Sequence, residues 1–164
     1  MIKQLNIFIL TLCGIGNSRY APGTAASFVT CMIYIWLYNI QVDIFLLIIG
    51  LVLIFIFSVY SIDNFKNSFS KTDAQEIVID EFIGQSIPIL TIYNFIEGNN
   101  LSHFILYTFI SFILFRIFDI WKPYPINRID KEMKNGFGVI LDDIVAGIYS
   151  VIALLIIMFF IYYD

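Results

Sequence analysis

The chain has 164 residues, 60% hydrophobic and only 13% charged, with a formal net charge of −4. A soluble domain carries charge on about a quarter of its residues, so a single membrane-embedded domain over 1–164 is expected. The acidic balance argues against non-specific nucleic-acid binding. Cys13 and Cys31 are too few for a disulfide framework and form no zinc spacing.

Met1 to Cys13 has the Lys3 and short apolar stretch of a signal peptide, but no small-x-small cleavage site follows. It is read as a retained segment, lying at the interface or packed on the bundle. The first apolar run is Ala25–Ile40, short for a span and in need of tilt or bilayer thinning. Gln41, Val42 and Asp43 form a turn before the uncharged run Ile44–Ile62. Ser61–Gln75 is polar. Ile77–Phe95 is the weakest span, because it opens on Asp80 and Glu81 and contains Gln85 and Pro88. Glu97 to Asn100 is a turn, and Leu101–Phe115 returns. Asp119–Gly138 is the longest polar segment, and Val139–Tyr163 is the last span. The expected fold is therefore all-α: an integral membrane bundle of about five helices, with four to five spans.

The charges orient this bundle. All nine Lys and Arg fall in three blocks, Lys3 to Arg19, Lys66 to Lys71 and Arg116 to Lys134. If the intervening runs cross a bilayer in pairs, every basic residue lands on one face, which the positive-inside rule assigns to the cytoplasm. The same face collects ten of the thirteen acids: Asp63, Asp73, Glu76, Asp80, Glu81, Asp119, Asp130, Glu132, Asp142 and Asp143. Carboxylates and cations together suit a divalent metal and an anionic group.

Two acidic pairs stand out. Asp80-Glu81 and Asp142-Asp143 each open an apolar helix at the expected membrane edge, where ionised groups are costly and usually functional. Neighbours on a helix differ by about 100°, so one member of each pair is expected to point inward. The inward members would repel unless a cation lies between them. Carboxylates also suit a helix N-terminus without any metal, but that does not easily explain two adjacent acids twice. Gly84 follows Asp80 by four residues and Gly147 follows Asp143 by four, a spacing that lets two helices approach closely. Asp73, Glu76 and Asp80 would share a face if their helix starts early.

Gly14 to Thr24 is a glycine-containing loop before a helix. It can offer backbone N–H groups to phosphate or be a plain turn. Arg116 and Lys122 can bind phosphate or simply snorkel at a helix end, and Trp121 and Tyr124 suit the headgroup interface. Gly14-x-Gly16 lacks the third glycine of a dinucleotide fingerprint. Cys13 to Arg19 has the Cys-x5-Arg spacing of cysteine phosphatases, but Pro22-Gly23 interrupts the helix that should follow. The single histidine, His103, is placed near the opposite face and is read as structural.

Several stretches together resemble bacterial phosphatidylglycerophosphatase A. They are Ala21-Pro22-Gly23-Thr24 with Ser27, Asp73 through Gln85, Phe115 through Ile126, and Asp130 with Gly136 through Gly147. They follow the family's order over nearly the whole chain. Ala26 departs from a common glycine, and Asn127 stands where an Arg usually follows Pro-Ile, with Arg128 next to it.

The resemblance implies Mg2+-dependent hydrolysis of phosphatidylglycerophosphate to phosphatidylglycerol and phosphate at the cytoplasmic face of a bacterial inner membrane. It implies Mg2+ on Asp80, Glu81, Asp142 and Asp143, with Asp73 a further possible ligand. Gly23, Thr24, Arg116, Lys122 and Arg128 are the expected phosphate-binding residues. Asp73 or Asp119 is the expected proton acceptor, beside Lys122; direct attack by an Asp is the other route. Alternatives of different kinds are a phosphatase for another membrane phosphomonoester, such as a polyprenyl phosphate, and a non-enzymatic ion-binding membrane protein.

Overall fold

A computed structural model describes residues 2–65, 76–96 and 100–163, and all regular structure there is helical. The helices are α1 (Ile2–Leu10), α2 (Pro22–Asn39), α3 (Ile44–Phe65), α4 (Ile79–Phe95), α5 (Leu101–Trp121), α6 (Ile126–Glu132) and α7 (Gly136–Tyr163), with one 3-10 turn at Ile15–Asn17. Apolar runs alone suggest about five helices. The two additional ones, α1 and α6, have nine and seven residues, too short to register as spans. Three helical segments are long and apolar enough to cross a membrane: Ile44–Asn64, Leu101–Trp121 and Gly136–Ile161.

The helix ends follow local chemistry. Pro22 occupies the first turn of α2, where its missing N–H costs nothing. The Phe45 N–H donates to Asp43 Oδ1 at 2.8 Å, a side-chain cap on α3. His103 N–H donates to Asn100 Oδ1 at the start of α5, with the His103 ring 3.0 Å from the Asn100 amide. The lone histidine thus belongs to a helix cap. Helix α5 ends at Lys122 in the left-handed region, just before Pro123. Asn135 caps α7 by accepting from Gly138 N–H at 2.8 Å.

Helix α4 is the centre of the bundle. It packs most extensively on α7 and also contacts α2, α5 and α3. This explains its weak hydropathy: Gly84, Gln85, Ser86 and Pro88 are buried against protein rather than turned to lipid. Between apolar helices in lipid, close packing and internal hydrogen bonds replace the hydrophobic effect. Accordingly, buried Ser27, Thr30 and Ser150 donate to carbonyls one turn back, and Gln85 Nε2 donates to Ser111 Oγ across α4 and α5 at 3.2 Å. The outer surface is the reverse. On α3, Phe45, Leu46, Leu53 and Ile56 are each more than half exposed, as a lipid-facing helix requires.

Connectivity gives the bundle two unlike ends. Helices α2, α4 and α7 begin at one end, where α3 and α5 finish. Gly136 N–H of α7 donates to Asp63 Oδ1 of α3 there, at 2.7 Å. The opposite end is closed by aromatics: Tyr38 stacks on Phe104 with ring centroids 4.0 Å apart, and Tyr93 OH donates to the Val42 carbonyl. The N-terminal helix α1 packs on α3, and the Leu10 carbonyl accepts from Val78 N–H.

Candidate active site

The crossing of α4 and α7 is built on two glycines. A Cβ on Gly147 would lie 2.5 Å from the Gly84 carbonyl oxygen, and one on Gly84 would lie 2.6 Å from the Asp143 carbonyl oxygen. No side chain fits between the backbones at this point. One turn before each glycine, the close approach brings together the two acidic pairs; Asp80-Glu81 opens α4 as expected, but α7 begins at Gly136, so Asp142-Asp143 lies about two turns inside it.

Asp80, Glu81 and Asp143 each offer a carboxylate oxygen, and these oxygens lie within 4.8 Å of one another. Both members of the α4 pair therefore join the cluster, not one as the 100° rotation suggests, because Asp80 and Glu81 lie in the first turn of α4. Glu81 N–H donates to Asp80 Oδ1 at 3.1 Å. Asp142 is also buried, at 7% exposure, but turns the other way: its Oδ2 accepts from Lys122 Nζ at 2.7 Å. Lys122 is shared with Asp130 Oδ1 at 3.0 Å. Burial alone would push the Lys122 ammonium down, but hydrogen bonds and charge from Asp142 and Asp130 outweigh it and hold Lys122 above the ordinary lysine range.

A cavity of about 150 Å³ lies over these groups. Its walls carry six carboxylates, from Asp80, Glu81, Asp119, Asp130, Asp142 and Asp143, against the two ammonium groups of Lys122 and Lys134. Asp119 connects the cavity to Arg116, whose Nη1 is 2.6 Å from Asp119 Oδ2. Asp119 is the ion-pair partner of Arg116 Nη1, whereas Arg116 Nε is buried without an acceptor and Glu81 Oε2 is buried without a donor. Gly23, in the first turn of α2, closes this side. A Cβ there would collide with the Glu81 carboxylate and lie 3.3 Å from Arg116 Nη1.

The donor set suits a hard divalent cation, which takes carboxylate oxygens. Three converging carboxylates with one orphaned oxygen, in a cavity richer in acids than in bases, are the surroundings in which Mg2+ fits. The orphaned Nε–H of Arg116 is its complement, since a planar guanidinium matches phosphate oxygens.

The sequence-derived candidates divide as follows. Asp80, Glu81, Asp142, Asp143, Asp119 and Lys122 line the cavity, and Gly23, Thr24 and Arg116 flank it on the α2–α5 side. Arg128 is elsewhere: it is well exposed on α6 and forms an ion pair with Glu132 at 3.0 Å. Asp73 lies outside the described residues. Glu76 precedes α4, in a turn, so it does not share a helical face with Asp80. Cys13 is exposed in the turn after α1. Asp130 is a cavity residue that the motif reading assigned no role. Its signal was present, since it lies inside the matched stretches, but only the fold of α6 brings it to Lys122.

A family model described as Phosphatidylglycerophosphatase A matches residues 8–158. A Bacteroides thetaiotaomicron protein named "Putative phosphatidylinositol-3-phosphatase" is 36% identical over 90% of this chain and 90% of its own length. Proteins named "Phosphatidylglycerophosphatase A" from Haemophilus influenzae and Escherichia coli are 34% and 29% identical, over 96% and 91% of this chain and 93% and 82% of their own lengths. No solved structure matches. With a family match over nearly its full length, the chain belongs to the phosphatidylglycerophosphatase A family.

Proposed function

We propose that this protein is a Mg2+-dependent lipid phosphatase that hydrolyses phosphatidylglycerophosphate to phosphatidylglycerol and phosphate. The observation that carries the reading is the pairing of the Asp80–Glu81–Asp143 cluster with Arg116, whose buried Nε has no acceptor, at one end of the helical bundle. Asp80, Glu81 and Asp143 would hold Mg2+, with Asp142 on the same cavity; the ion would neutralise phosphate charge and lower the pKa of a bound water. Arg116 and Lys122 bind phosphate oxygens, with Gly23 and Thr24 flanking the site beside Glu81 and Arg116. Asp119, between Arg116 and Asp143, is placed to accept the proton as water adds to phosphorus. The ester P–O bond breaks, and Asp119 would return that proton to the departing glycerol oxygen.

Arg19, Arg116, Lys122, Arg128, Lys131 and Lys134 belong by connectivity to the site end of the bundle. The positive-inside rule supports a cytoplasmic orientation for that end, in the inner membrane, with α2 and α4 as further crossings beside the three long apolar helices.

The name of the Bacteroides relative supports a second reading, in which the substrate is a phosphoinositide monoester. Both readings need one lipid-borne phosphomonoester and the same charged groups. The test is phosphate release by purified protein in mixed micelles from phosphatidylglycerophosphate, phosphatidylinositol 3-phosphate and a polyprenyl phosphate, each with and without Mg2+. The first substrate should be turned over fastest. Preference for another would move the assignment to that lipid, and no release from any would favour a non-enzymatic ion-binding role.

A further inference from the structure

The seam between α2 and α5 is apolar, open to the lipid side, and leads to the site. Its wider part, about 690 Å³, is lined by Thr24 of α2 and by Phe112, Ile113, Arg116, Ile117, Ile120 and Trp121 of α5. A narrower recess continues it past Phe112, between Phe28, Cys31, Met32 and Ile35 on α2 and Ile105 and Phe109 on α5. Phe28 and Phe112 meet edge to face between the two parts, with ring centroids 6.2 Å apart. One stripe from each helix lines the whole path.

We infer that this seam is the acyl-chain subsite of the lipid substrate, so that the lipid enters sideways between α2 and α5. The inference rests on the lipid-phosphatase reading above and adds to it where the tail lies. Continuity is the first argument. Arg116 is both a groove wall and the neighbour of Gly23 and Glu81, so the groove opens directly onto the carboxylate cluster. Charge is the second. The single charged group along the groove is Arg116, beside the site, and its Nε lacks an acceptor. An amphiphile with an anionic head and an apolar tail matches that order of lining groups. Length is the third. From Arg116 to Ile105 the α5 wall runs about 16 Å, close to the roughly 15 Å of one leaflet's hydrocarbon. A full acyl chain is accommodated, while a short one stays near Arg116.

The recess residues Met32 and Ile105 are 45% and 43% exposed, so tryptophan at either position fills the groove without displacing core. Ile105 is about 16 Å along α5 from Arg116. The test compares kcat/KM of Met32→Trp and Ile105→Trp on dipalmitoyl and dihexanoyl phosphatidylglycerophosphate. Ile152→Trp on α7, outside the groove, is the control. Both recess variants should lose roughly tenfold on the long-chain substrate, the equivalent of about two methylenes kept from burial. They should keep their rate on the short-chain substrate, which also reports intact folding. Unchanged long-chain turnover, or equal losses on both substrates in both variants, would overturn the subsite and assign the groove to ordinary bilayer lipid. If the unmodified protein turned over neither substrate, the lipid-phosphatase reading itself would fall, and the subsite with it.

Discussion

Substituting Gly147 by Ala is the sharpest perturbation of the site that touches none of its charges. The new Cβ would lie 2.5 Å from the Gly84 carbonyl oxygen, while ordinary contact begins at 3.4 Å. The obstacle is backbone, so α4 and α7 must part by about 0.9 Å, since close-packed interiors transmit strain rather than absorb it. Two stability effects oppose each other. Overpacking costs about 1–3 kcal/mol, and replacing a helical Gly by Ala returns about 1 kcal/mol. The net destabilisation is small, about 0–2 kcal/mol. The effect on turnover is larger, because the separation is applied one turn from Asp143, between the two halves of the cluster. A displacement near 1 Å costs about 10²-fold in rate when catalytic groups must be held in register. The assay is phosphate release in micelles alongside thermal unfolding. Gly50→Ala on α3 is the control, since nothing lies within 4 Å of its Cβ position. Gly147→Ala with wild-type turnover would refute the claim that the glycine crossing sets the geometry of the site.

Asp80→Asn, Glu81→Gln and Asp143→Asn keep shape and lose charge, and each should lower kcat by about 10²-fold or more while membrane insertion, followed by fractionation, is unchanged. Lys122→Met should lower turnover by a similar factor, whereas Arg128→Ala, whose ion pair is solvent-exposed, should change it less than twofold. The raised Lys122 pKa makes its stabilising contribution complete below the ordinary lysine value of about 10.4 and lost only as pH rises through the higher folded value. Lys122 therefore stays charged between about pH 8 and 10, and the pH–rate profile of Lys122→Met in that range should keep the shape of the unmodified protein's. Single cysteines at Gln41 and Asn135 should label from opposite sides of the membrane, the first from outside the cell.

Much of the fold is legible in the chain, for identifiable reasons. The runs that became α3, α5 and α7 face lipid, so their composition reports their role directly. Helix α4 was the least legible because it is buried among other helices, where Gly84, Gln85 and Ser86 serve packing rather than lipid contact. Helices α1 and α6 are too short for a hydropathy signal. In the site, the Gly84 and Gly147 spacing foretold the α4–α7 approach. Rotation around a helix did not foretell that Asp80 and Glu81 would both join the cluster, or that Asp142 would turn to Lys122. Asp130 was hidden because its partner, Lys122, is reached through tertiary structure alone. Arg128 was misleading: adjacency to a motif position does not place its side chain, which faces solvent beside Glu132.

The central claim is that the carboxylate cluster works by holding a divalent cation. Its most direct measurement is phosphate release from phosphatidylglycerophosphate by chelator-treated protein during a Mg2+ titration, with Asp143→Asn in parallel. The account predicts no release after chelation, saturable recovery in the unmodified protein, and no recovery in Asp143→Asn at the same Mg2+ concentrations. Full turnover in excess chelator would contradict it.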